Sequence, residues 1–160
     1  MSAQVEIPKP SQPHPLDGYW STGNAIKLLS WDFVDKRMAA ARNFWIATTN
    51  PDGTPHVVPV WGVWVDNTVY FGGSPDTRWS RNLMEEPYVV VHLDDSDQAV
   101  MLEGTVTRIA DADDPRLTRI DDAYQAKYDI RHGPPIWQLR LRKVIAWETI
   151  QTATRWLFTD

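Results

Sequence analysis

Apolar and polar positions along this chain change their period several times, and each change predicts an element. The first 19 residues are rich in proline and carry no period. That pattern predicts a flexible arm over residues 1–20, followed by one domain over 21–160. Ser30 is placed as a helix N-cap, with Asp32 in the first turn, and Trp31, Val34, Met38 and Ala41 recur at near-helical spacing up to a stop at Asn43. From Phe44 the pattern turns to strand: FWIATTN, an NPDG turn, then TPHVVPVWGVWV as a long second strand. Pro59 gives no ladder donor, so this strand is expected to bulge or run along an edge there. A short Asp66-Asn67 turn leads to TVYFGG, completing a three-stranded antiparallel meander from Phe44 to Gly73.

The second half repeats these signals. PDTRWSRNLMEEP reads as a two-turn helix capped by Asp76 or Thr77 and stopped before Pro87. YVVVHL and QAVMLEGTVTRI read as strands, with a bulge at Gly104. The helix in DDPRLTRIDDAYQAKYDI places Leu117, Ile120, Tyr124 and Tyr128 on one side. IWQLRLRKVIAWETI alternates as a strand, and TRWLF follows as a candidate last one. About six antiparallel strands with two or three helices predict a small, mainly β barrel.

Composition narrows the chemistry. The 160 residues suit one domain. The absence of cysteine excludes disulfides, thiolate catalysis and Cys-held metals. The net charge of -5 argues against nucleic acid as a partner. No apolar run of about 18 residues is present, so no membrane partner is expected, and without a signal-peptide pattern a cytoplasmic location is expected. Nine tryptophans suit a packed core, a dimer interface or stacking on flat rings. His14, His56, His92 and His132 are too scattered for a metal site, and His92 in its apolar strand reads first as structural. The acidic pairs Asp94-Asp95 and Asp113-Asp114 read as solvated loop charges. No acid–base or nucleophilic constellation emerges, and an enzyme lacking one takes its chemistry from a cofactor.

One segment suits an anion. A strand runs into Gly72 and Gly73, then into a helix start with Thr77 and Arg78, followed by Arg81 and Asn82. Helix-terminal amides, a hydroxyl and a guanidinium fork favour a phosphate, and the glycines would admit a ligand close to the backbone. The same letters also describe a capped surface helix with solvated arginines.

The run FWIATTNPDGTPHVVPVWGVWVDNTVYFGGSPDTRWSRNLMEEPYVVVHL resembles the core of the pyridoxamine-5'-phosphate-oxidase-like superfamily, which includes flavin and deazaflavin oxidoreductases. The order of parts is similar: strand, NPDG-like turn, strand with a PVW-like centre, strand, small residues, T-R-x-x-x-N-L helix and P-x-V strand. The later EGTVTRI and VIAWETIQTATRWLF look similar too, so the resemblance spans roughly Trp31 to Phe158. It implies a six-stranded antiparallel split β-barrel and a homodimer with FMN, or the deazaflavin coenzyme F-420, at the subunit interface. The ring would lie across Val58, Pro59, Val60 and Trp61, near Phe71, Gly72 and Gly73. Thr77, Arg78, Arg81 and Asn82 would face the phosphate, and Trp147, Arg155 and Trp156 of the other subunit would close the site. Many members carry Lys after the helix Arg, where this chain has Trp79; Arg81 is the candidate to supply that charge. Arg140, Arg142 and Lys143 are candidates to line a groove for the acidic tail of F-420. The implied function is hydride or electron transfer with a small organic substrate and no essential side-chain acid or base. The alternative is a non-catalytic flavin, haem or tetrapyrrole carrier, with His92 as the haem ligand to test.

Overall fold

The computed structural model describes residues 4–13 and 27–159. Helix α1 (Trp31–Ala40) starts at Ser30, whose backbone is extended and whose side chain makes no cap bond; it buries Val34 and Met38, four residues apart. Strands β1 (Phe44–Thr49), β2 (Pro55–Val60), β3 (Gly62–Val65) and β4 (Thr68–Phe71) follow, then α2 (Arg78–Glu85) and β5 (Tyr88–His92). Strand β6 (Val100–Ile109), α3 (Leu117–Tyr128), β7 (Ile136–Ala146), a 3-10 turn (Ile150–Thr152) and β8 (Thr154–Leu157) complete the described chain.

Turn chemistry sets the early strand pairing. Gly53 adopts a φ of 82°, and Asp52 accepts bonds from both the amide and the hydroxyl of Thr54. This closes the NPDG hairpin between β1 and β2. Asp66 and Asn67 both have positive φ, the signature of the tight hairpin turn that joins β3 to β4.

The strands form one antiparallel sheet in the order β2-β1-β5-β6-β7-β4-β3, with β8 paired to the second half of β7. Strands β2 and β3 lie at opposite ends of that order, yet one residue, Trp61, separates them in sequence. A single residue spans less than 4 Å, so the sheet curls until its two ends adjoin. Inside the curl, Phe44, Ile46, Val91, Leu102, Leu139 and Trp156 form the core with Val34 and Met38 of α1. A second, smaller core lies outside β3 and β4, where Leu117, Ile120, Tyr124 and Tyr128 of α3 pack on Val63, Tyr70, Ile109 and Ile136. The apolar side predicted for this helix is the one it buries.

Four sequence expectations change. The single strand over Thr54–Val65 is two strands that never pair with each other, so the meander to Gly73 does not form. Pro59 has its edge position, because β2 pairs only with β1. With the break at Trp61 and β8 added, eight strands replace the six expected among the described residues. The arm is not free over residues 4–13: Ser11 exchanges backbone bonds of 2.8 and 2.7 Å with Arg155, and Val5 and Ile7 pack on the core. Its remainder lies outside the described residues. Asp114 is no solvated loop charge either. It pairs with Arg116 at 2.6 Å, and the guanidinium bonds hold its carboxyl down at about 2. The bulge at Gly104 is as expected, with the register shifting between Glu103 and Gly104.

Two stability outcomes follow from these contacts. Removing residues 1–13 should cost about 1–2 kcal/mol, or roughly 3–6 °C in Tm, because two apolar side chains and a bridge are lost. An unchanged melting curve would show that the docked segment contributes nothing. At Gly104 a Cβ would fall on the Arg140 carbonyl of β7, well inside van der Waals contact. Gly104→Ala should therefore destabilise the chain by about 2 kcal/mol or more in urea titration.

Candidate cofactor-binding site

The phosphate-type segment folds much as its letters suggest, with different reasons for its glycines. Thr77 caps α2: its hydroxyl accepts from the Ser80 amide at 3.3 Å and donates to the Ser74 carbonyl at 2.9 Å. The amides of Arg78 and Trp79 fall in the first turn, where a helix offers no internal partner. Arg78 is exposed and makes no bond to another described residue. Ser74, Pro75 and Asp76 are exposed as well, so the helix start is an open shelf. Arg81 folds back instead, its Nε and Nη2 donating to the Asp76 carbonyl at 3.1 and 2.8 Å. Its charge stays at the helix start, but these two donors are engaged. Asn82 is buried and reaches away from the shelf: its amide donates to the Thr48 hydroxyl and the Asn50 side chain at 3.0 Å each, tying α2 to the end of β1. Trp79, at the position of the usual lysine, is a core residue that packs on Phe71 at 5.6 Å between ring centroids. A Cβ on Gly73 would lie 2.8 Å from Cζ2 of that indole. Gly72 is similarly filled by the ring of His132. Both glycines thus admit side chains of this chain itself.

Next to this shelf lies the break between β2 and β3. Val58 is half-buried, Pro59 exposed and Val60 buried, and Phe71 is fully buried opposite Gly62. Trp61 is 47% exposed. Its inner side stacks on Tyr128, with centroids 4.5 Å apart and planes 5° apart. The Arg42 guanidinium lies 4.7 Å from the same tyrosine ring. Of the residues around this break, Phe71 and Gly73 touch α2 through Trp79.

The C-terminal residues part company. Trp156 is wholly buried, edge-on to Trp31 at 5.4 Å, and takes no place at an open site. Trp147 and Arg155 lie on the outer face of the sheet, which α3 leaves uncovered there. Pairing places Pro59, Trp45, His92, Met101, Ile145 and Arg155 in one row on that face. A cleft of about 620 Å³ lies over it, lined by Trp45, Val57, Val90, His92, Met101 and Trp147. Lys143 pairs with Glu103 at 2.7 Å, and Arg140 and Arg142 have partners too, so the basic groove suggested for these three is occupied by internal contacts. His14 lies outside the described residues, and among those described no group of three His, Cys, Asp or Glu is placed to hold a metal.

The sequence profile described as pyridoxamine 5'-phosphate oxidase matches residues 31–153. The chain belongs to the pyridoxamine 5'-phosphate oxidase family. No functionally curated protein matches it by sequence. Among solved structures, a conserved hypothetical protein from Mycobacterium tuberculosis is similar at TM-score 0.66 and 19% identity, covering 82% of this chain and 92% of that one. A heme binding protein from Mycobacterium smegmatis is similar at TM-score 0.64 and 19% identity, over 81% of this chain and 59% of its own length. An F420 reductase is similar at TM-score 0.51 and 20% identity, over 68% of this chain and 94% of that one. At these identities the likeness is one of fold. Within the family's frame, this chain departs at Trp79, which has gone into the core.

Reading the letters missed the residues that build the wall from behind. The Tyr128 hydroxyl accepts from the Gly62 amide at 3.0 Å and donates to the Arg42 carbonyl at 2.5 Å. The Gly62 carbonyl takes the Lys127 ammonium at 2.6 Å. Burial, then repulsion from Arg42, lowers the pKa of Lys127 from 10.5 to about 8. The spacing of Tyr124 and Tyr128 marked an apolar helix side and gave no sign of where their hydroxyls end.

This lysine sets a pH dependence whose sign is determined. Below about pH 8 folded and unfolded chains both hold the proton, and the cost of burying the charge is present in full. Between about 8 and 10.5 the folded chain releases it first, so stability rises with pH. Lys127→Met should lack that rise in denaturation series across the window. A Lys127 Cε resonance titrating near 10.5 would contradict the shift.

Proposed function

We propose that this chain is a flavin- or deazaflavin-dependent oxidoreductase, acting as a homodimer on a small organic substrate. Two features carry this reading. One is an open helix start with the unpaired Arg78; the other is the flat, half-exposed Trp61 seat. Together they match a molecule with a planar ring at one end and a phosphate on a short chain. FMN fits first and coenzyme F-420 second. The residues present suit such a group, with one charge fewer than the family pattern because Trp79 is buried. Arg78 and the first-turn amides would hold the phosphate. Trp61 and the backbone of Val58, Pro59 and Val60 would flank the ring. When bound, the ring supplies hydride or electron transfer, while the protein orients it and limits water. The uncovered apolar row supports the dimer, since an exposed sheet face of this kind calls for a cover. Trp147 and Arg155, on that face, would then approach the partner's site.

His92 favours a second reading. Its Nδ1 lies 2.8 Å from the Leu93 carbonyl, which assigns the ring proton to that nitrogen and leaves Nε2 open beside an apolar cleft. That is the arrangement of a haem-ligating histidine held by a backbone acceptor. A carrier of haem or another tetrapyrrole would use this cleft in place of the dimer contact.

Titration separates the two. Arg78→Ala should weaken FMN binding about 10- to 100-fold, the scale of one charge-assisted bond, while riboflavin affinity stays nearly constant. Arg78→Lys should recover only part. FMN affinity indifferent to Arg78 in a folded protein would remove the phosphate assignment. A Soret band on adding haemin, lost in His92→Ala, would move the function to the carrier.

A further inference from the structure

The two backbone segments beside the proposed ring site, Trp61 and Gly72–Gly73, lie outside the strand ladders. The β2 ladder ends at Val60, opposite Phe44, and the β3 ladder begins at Gly62, opposite Phe71. Trp61 belongs to neither. Helix α3 makes up for the missing ladder. The Tyr124 hydroxyl donates to the Trp61 carbonyl at 3.3 Å. Burial pushes its pKa up. One phenol thus holds the carbonyl of the residue that lies between the two ladders. One turn later, the Tyr128 hydroxyl takes the Gly62 amide, and its ring carries the Trp61 indole. His132 lies 4.8 Å from the Tyr124 ring and fills the space beside Gly72, so the second segment is held from behind as well.

We propose that Tyr124 and Tyr128 are positioning residues for the cofactor ring, holding Trp61 as a fixed flat seat against the Gly72 strand end. This rests on the flavin reading above. A purely apolar contact would be served by phenylalanine at both positions. Tyr124 is fully buried, and a hydroxyl there is costly unless bonded. Both hydroxyls bond the peptide that joins Trp61 to Gly62, Tyr124 at its carbonyl and Tyr128 at its amide. The seat itself is a large aromatic ring, nearly half exposed and stacked on one side only, so its outer side is open to a planar ligand.

The test uses the full-length protein, FMN as probe, and three variants beside Arg78→Ala. Tyr124→Phe and Tyr128→Phe keep the rings and remove the hydroxyls; Trp61→Leu changes a half-exposed residue and leaves the core intact. Each Tyr→Phe change should reduce FMN affinity about 5- to 20-fold, the range of one or two lost hydrogen bonds. Each should also shift the visible flavin band and raise the fluorescence of bound flavin, which a role in stability alone would not move. Trp61→Leu should raise that fluorescence most. Unchanged affinity and spectra in both folded Tyr→Phe variants would overturn the positioning role. So would unchanged flavin fluorescence in Trp61→Leu, which serves if a tyrosine variant fails to fold. Loss of FMN affinity in Arg78→Ala alone, with the other variants silent, would leave the phosphate site standing and remove only the positioning role. Failure of the wild type to bind FMN or F-420 would remove both.

Discussion

Closure at Trp61 is the constraint on which the other features depend. One residue joins strands that lie at opposite ends of the sheet order, so the sheet must curl, and the curl must be secured where no ladder crosses it. Gly62 makes the closure possible, because a Cβ there would lie 2.7 Å from the Phe44 ring and 3.0 Å from the Tyr70 carbonyl. Helix α3 secures it through hydroxyl and ammonium groups bonded to backbone that no strand serves. The cost is a lysine and two tyrosines carried into low-dielectric surroundings, visible in the lowered pKa of Lys127 and the raised pKa of both tyrosines. The same closure leaves the Trp61 indole half-exposed, stacked on Tyr128 of α3.

Local signals were legible in the letters wherever local chemistry decides the outcome. The NPDG turn, the Asp66-Asn67 turn, the Thr77 cap, the Gly104 bulge and the buried side of α3 all come from residues within a few positions of each other. The break at Trp61 was not legible. The mostly apolar run from Val57 to Val65 carries no turn sequence, and only long-range pairing sends the two halves to different neighbours. The docked segment around Ser11 was hidden for a related reason: its partner, Arg155, is 144 residues away.

For the candidate site, residue types were more legible than roles. Thr77 caps α2 with Arg78 exposed beside it, and Trp61 presents a half-exposed ring. Asn82 and Trp156 have the right letters in the right order, but burial commits them to the inside, one to Thr48 and Asn50 and the other to Trp31. The two glycines illustrate a general ambiguity. A residue without a Cβ admits whatever approaches, and here that is His132 and Trp79. Placing Trp79 in the core removes a cation from the phosphate pattern, and Arg81, bonded to Asp76, makes up for it only through proximity.

Assembly and cargo together decide between the uses this barrel can serve. Native mass spectrometry of the purified protein after incubation with FMN, F-420 and haemin reads both at once. A dimer carrying two flavin-type molecules is the predicted species, because each subunit offers one seat and one phosphate shelf while the apolar sheet face is covered by the partner. A monomer that carries one haem, or binds none of the three, would contradict it.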